Sequence, residues 1–194
     1  MQPPKTVLEQ EYDRIYRTDM SSKSEEEVKE FVRVKTNYTR VLSSIQYKLE
    51  AQNMSQAQLE KEKHKSSRLG RFLVQDGMPK PGNGFEAHAI IAGLHQKAAF
   101  LRVQMAIRKI RIDDADNGCW LPKTEKDAIG TQFPNAVPHR RIHNHFYFDW
   151  LSSVAMRVTR RTTEKEFRFS LNRARKLLQS GAVAHRVLKP KAAQ

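Results

Sequence analysis

Gly84-Phe85-Glu86-Ala87-His88-Ala89-Ile90-Ile91-Ala92-Gly93 is the stretch around which the rest of the chain organises. The run Phe85–Ile91 is short and apolar and lies between glycines, which predicts a strand. Just upstream, Asp76-Gly77-Met78-Pro79-Lys80-Pro81-Gly82-Asn83-Gly84 holds three glycines and two prolines in nine residues. No helix continues through such a segment, so a domain boundary is expected here, between residues 1–75 and 76–194. Downstream, Asp116-Asn117-Gly118 forms a turn signal ahead of a second short strand, Cys119–Leu121.

Helical patterns surround these strands. On the N-terminal side, Ser24-Glu25-Glu26-Glu27 reads as a capping box. Val28, Phe31, Tyr38, Val41, Leu42, Ile45 and Leu49 then follow at helical spacing. Ser55 and Gln58 mark a second start, for a charged helix of about Gln56–Val74 whose few apolar positions require docking. On the C-terminal side a helix is expected over Lys97–Ile110, with Phe100, Val103, Ile107 and Ile110 on one face. Another is expected over His139–Val158, and a last one from the cap Thr163, with Glu166 three residues on, to Ser180-Gly181. The fold class is α+β and mostly helical, with an N-terminal helical hairpin.

The 194 residues carry a formal charge of +14. Residues 1–80 hold 15 basic against 12 acidic side chains, and residues 81–194 hold 20 against 9. A positive field concentrated in one half points to a polyanionic partner, with a well-solvated basic surface as the plain alternative. No apolar run approaches the roughly 18 to 20 residues needed to cross a bilayer, so no membrane role is expected. Residues 1–12 lack the apolar core of a secretory signal. The single cysteine, Cys119, excludes an internal disulfide framework and reads as a small buried hydrophobe.

Five of the seven histidines, His88, His95, His139, His143 and His145, fall between residues 88 and 145. Neutral imidazole is a common metal ligand. His139 and His143 stand four apart on an expected helix, where both rings share a face. His88, from the upstream strand, would complete three ligands and leave a position open for water or phosphate. A solvated helix face beside Arg140 and Arg141 is the plain alternative. His95 lies beyond the strand, and His145 projects from a different helical face. The run Phe146-Tyr147-Phe148-Asp149-Trp150-Leu151 reads as core rather than as a base-stacking platform.

Three blocks in this order, Gly84–Gly93, Ile112–Pro122 and His139–Tyr147, resemble the signature blocks of AHH nucleases, a branch of the HNH superfamily built on a ββα-metal finger. The resemblance covers roughly residues 76–155. It implies a finger core surrounded by helices, and one divalent ion (Mg, Mn, Zn or Ni) on the side of His88, His139 and His143. Asn117 matches the asparagine that braces the finger's loop. Ala89 stands where the family pattern has the second histidine of Ala-His-His, the expected general base. Alanine cannot accept a proton, so this chain is expected to bind metal and DNA while cleaving poorly or not at all. An engineered histidine-to-alanine change and natural decay both account for it.

The resemblance further implies an antibacterial DNA endonuclease toxin, with RNA a less favoured substrate. Such a toxin would be made in the bacterial cytoplasm, delivered by a secretion system into a rival cell and neutralised by a cognate immunity protein. Residues 1–75 would then act as a linker or as a contact for a carrier or adaptor. Arg140 and Arg141 are candidate phosphate contacts near a helix start. On the last helix Arg168, Arg173, Arg175 and Lys176 would track a duplex backbone, with a solvated face an equally good account. Two other functions fit the residues: a non-enzymatic nucleic-acid-binding module, favoured by Ala89, and an interaction protein acting through residues 24–74.

Overall fold

A computed structural model describes Gln10, Arg14, Arg17 and residues 20–93, 95–142 and 144–188. The chain divides into two compact units, Met1–Gln46 and Tyr47–Gln194. Helix α1, Glu25–Asn53, supplies most of the described part of the first unit. Its start is the expected capping box: the Ser24 amide donates to Glu27 at 2.9 Å while the Glu27 amide donates back to the Ser24 hydroxyl. Exposed ion pairs such as Lys29–Glu25 and Arg33–Glu30 lie one turn apart along it.

The second unit is built on a two-stranded antiparallel sheet, β1 (Phe85–Ala89) and β2 (Gly118–Pro122), with Ala87 opposite Trp120 and Ala89 opposite Gly118. Successive strand residues face opposite sides, and here the two faces have different partners. Phe85, Ala87, Ala89 and Trp120 pack with Leu69 and Leu73 of helix α3, Ser66–Gln75. On the other face Cys119 and Leu121 join the main core with helices α4 (Ala99–Ile107), α6 (His145–Trp150) and α7 (Glu164–Ser180). Close approach of α3 requires glycine at 118: a Cβ there would lie 2.7 Å from Leu69 Cδ1. Helix α7 starts and stops as expected, on a Thr163–Glu166 capping box and on Gly181 at φ 73°.

Three expected helices differ in the structure. The charged helix over Gln56–Val74 is broken into α2, Gln56–Lys61, and α3. The break carries His64 and the Lys65 amide to the carboxylate of Asp113, which a continuous helix could not present. The helix expected over Lys97–Ile110 opens with a 3₁₀ turn at Gln96–Ala98, ends at Ile107 and buries Leu101, Gln104 and Met105, while Ile110 is buried beyond its end. Ala106 packs separately with Ala51 and Leu59. With neighbours on both sides, α4 leaves Phe100 and Ile107 each 53% exposed. The helix expected over His139–Val158 is a 3₁₀ turn at His139–Arg141, then α6 and a wider π-type turn at Leu151–Ala155. Asn144 separates the pieces, because its side chain caps α6 by accepting from the Tyr147 amide.

A buried ionic cluster ties the segments around residue 111 to the helices before them. Asp113, fully buried, accepts from the Lys65 amide at 2.9 Å and from Arg68 Nε at 2.7 Å, and also meets His64. Arg111 donates to Glu62 at 2.7 Å and lies 3.6 Å over the ring of Tyr47. Burial holds the Tyr47 phenol well above its ordinary range, so it stays neutral and donates to Glu62.

Candidate functional site

His88 projects from the sheet face opposite α3 and is 3% exposed. Its Nε2 lies 3.3 Å from the Tyr147 hydroxyl, which is 2.8 Å from the Ile90 carbonyl. Burial pushes the Tyr147 phenol well above its ordinary range, so it keeps its proton. A carbonyl can only accept, so the one phenolic proton goes to Ile90 and the oxygen must accept from His88 Nε2–H. The lone pair of His88 is thereby assigned to Nδ1.

His139 comes from the 3₁₀ turn, and its ring centroid is 4.9 Å from that of His88. Its Nδ1 lies 2.8 Å from Glu86 Oε2, and Lys123 approaches the other oxygen at 3.8 Å. An ionised carboxylate only accepts, so Nδ1 of His139 carries a proton, and Nε2 is the nitrogen left to face a ligand. Glu86 is two residues before His88 and shares its strand face, which brings the carboxylate to His139.

The pair fits a metal-binding role. A ring held by a ~2.1 Å bond has its centroid about 3.2 Å from the ion, so two imidazoles on one tetrahedral ion stand roughly 5 Å apart. A carboxylate on the remote nitrogen is the usual support of a ligating histidine. Among the described residues no group of three or more His, Cys, Asp or Glu is placed to hold a metal ion, and His143 lies outside the described residues. The expectation that His139 and His143 share a helical face loses its basis, because His139 stands on a 3₁₀ turn before α6.

Asn117 is fully buried and uses both ends of its amide. Oδ1 accepts from the Ile91 amide at 2.9 Å, and Nδ2 donates to the carbonyls of Ile112 and Ile91. It joins the end of β1 to the loop entering β2. Ala89, 6% exposed, faces α3 in the cluster with Leu69 and Leu73. Cys119 is buried and its thiol is pushed up to about 12, mainly by burial.

The basic candidates divide by environment. Arg140 is exposed and pairs with Glu125 at 3.2 Å, whereas Arg141 is buried against the same carboxylate at 3.5 Å. Arg175, 7% exposed, faces inward and donates to the carbonyls of Gly118, Ala115 and Asp116. Arg168 is held by Asp114, Asp116 and Glu164. Arg173 and Lys176 are exposed on α7. His95 stacks on Phe148 at 3.9 Å and caps the turn before α4, and His145 is exposed beside Phe146. Tyr147, Phe148, Trp150 and Leu151 are core, and Phe146 is outside it.

The model of a nuclease family of the HNH/ENDO VII superfamily with conserved AHH matches residues 69–181. The chain belongs to this AHH nuclease family; residues 69–181 contain no Ala-His-His, and Ala87-His88 is followed there by alanine. Neither a curated protein nor a solved structure matches the chain.

Proposed function

We propose that this chain is the nuclease module of an antibacterial toxin, a metal-dependent endonuclease acting on DNA phosphodiester bonds and impaired by alanine at position 89. The observation that carries this reading is the convergence of His88 and His139 beside the departed triplet position, each ring oriented by a named hydrogen-bond partner. His88 through Nδ1 and His139 through Nε2 would hold one divalent ion (Mg, Mn, Zn or Ni), with His143 as the third ligand. When bound, that ion supplies stabilisation of the charge developing on the phosphate and the leaving 3′ oxygen.

Hydrolysis by in-line displacement places the attacking water and the leaving oxygen on opposite sides of phosphorus. A histidine at 89, next to His88 on β1, would take the proton of the attacking water. Ala89 can neither take the water's proton nor orient it, and loss of such a base costs about 100- to 10,000-fold. Exposed Arg140, Arg173 and Lys176 are the proposed duplex contacts. An acidic immunity protein would complement the basic surface, and residues 1–75 would serve a carrier or adaptor. Delivery into a rival's cytoplasm by a secretion system completes the proposal.

Expression in a bacterial cytoplasm tests it: the Ala89→His chain should arrest growth while the chain with Ala89 is tolerated. Equal arrest by Ala89→His combined with His88→Ala would remove the finger from the killing activity. A second reading, a nucleic-acid-binding module without catalysis, is favoured by Ala89 alone and predicts no arrest from either form.

A further inference from the structure

A cleft of about 620 Å³ is lined by residues of α3 and β1 together with Trp120 and Lys123, and reaches His139 and Glu86. Its apolar surface comes from Val74, Phe85, Ala87 and Trp120, and it also carries Arg71, Lys80 and Lys123. Lys80 lies 5.9 Å over the Trp120 ring, and Arg71 and Lys80 have no acidic partner among the described residues. Among the described residues Glu86 is the one carboxylate lining the cleft, and it is engaged by His139 and Lys123. Cations beside an apolar wall suit a chain of alternating phosphates and sugars. Phe85, Ala87 and Trp120 belong to the α3 face of the sheet, and the cleft continues from them to Glu86 and His139 of the candidate site.

We propose that this cleft is a strand-binding subsite, in which Arg71, Lys80 and Lys123 contact the sugar–phosphate backbone flanking the scissile phosphate. The proposal rests on the nuclease reading, and it adds a contact on the α3 side of the sheet to those proposed for Arg140, Arg173 and Lys176. Binding there depends on phosphates and not on base identity.

The test is fluorescence anisotropy with a labelled 20-base-pair duplex and a 12-nucleotide single strand, in EDTA, across a salt series. Arg71→Gln/Lys80→Gln, at two exposed positions, should weaken binding about tenfold and lower the salt slope by roughly 1.8 for duplex. Lys123→Gln should lower it further. The charge-matched control Arg160→Gln/Arg161→Gln, also exposed, should have a much smaller effect. A control effect equal to that of the cleft variant would reduce the result to net charge and overturn the subsite. If the unsubstituted chain binds and the cleft variant binds equally well, the subsite falls while the nuclease reading stands. If the unsubstituted chain binds neither probe at low salt, the nuclease reading falls and takes the subsite with it.

Discussion

At the level of single residues, orientation of His139 depends on Glu86. Removing a carboxylate that supports a ligating histidine typically costs 10- to 100-fold in metal affinity. Glu86→Ala should show that loss by calorimetric titration with zinc or nickel, and Glu86→Gln, which can still accept from Nδ1–H, should recover much of it. Unchanged affinity in Glu86→Ala would mean that His139 is not a supported ligand. His88, Asn117 and His139 are candidates in the sequence through the three blocks that resemble AHH nucleases. Glu86 was not singled out, although strand alternation puts it on the His88 face. Tyr147 was legible only as core, since nothing local reveals that its hydroxyl reaches Ile90 and His88. Arg175 read as exposed because basic residues usually are. Its burial follows from three carbonyls gathered by the turn before β2.

Among elements, the seating of α3 on the sheet governs the geometry. Gly118→Ala would force a methyl against Leu69 and Leu73 and should cost about 1–3 kcal/mol of stability, read by urea denaturation. Wild-type stability in that variant would mean α3 does not pack as described. The strands and α7 were legible because their turn and capping residues are strong local signals. The break before α6 was not, since an asparagine inside an apolar pattern announces a cap only when its side chain is seen on the Tyr147 amide. The burial of α4 is a different case. Periodicity gives one face, whereas α4 has neighbours on two sides.

Over the molecule as a whole, a concentrated positive charge coexists with a buried ionic cluster that no local pattern reveals. Asp113 and its partners His64, Lys65 and Arg68 are 45 to 49 residues apart in sequence. Asp113→Ala would remove the buried acceptor shared by the Lys65 amide, His64 and Arg68, while Arg68 keeps Glu62, and should cost about 1–3 kcal/mol, measured by the same denaturation. A loss below about 1 kcal/mol would make the cluster incidental. The fold class was legible because the order of two turns and a histidine-bearing segment constrains the core, while the packing between distant segments depends on contacts that composition does not encode.

The measurement that bears most directly on the account is plasmid nicking by this chain and by Ala89→His, each with divalent metal and with EDTA. A histidine at 89 must find space beside Leu69 and Leu73, so the variant should lose about 1–3 kcal/mol of stability while gaining activity. Cutting by Ala89→His alone, abolished by EDTA, is the predicted result. Failure of a folded Ala89→His chain to cut any nucleic acid, or equal cutting by both forms, would contradict it.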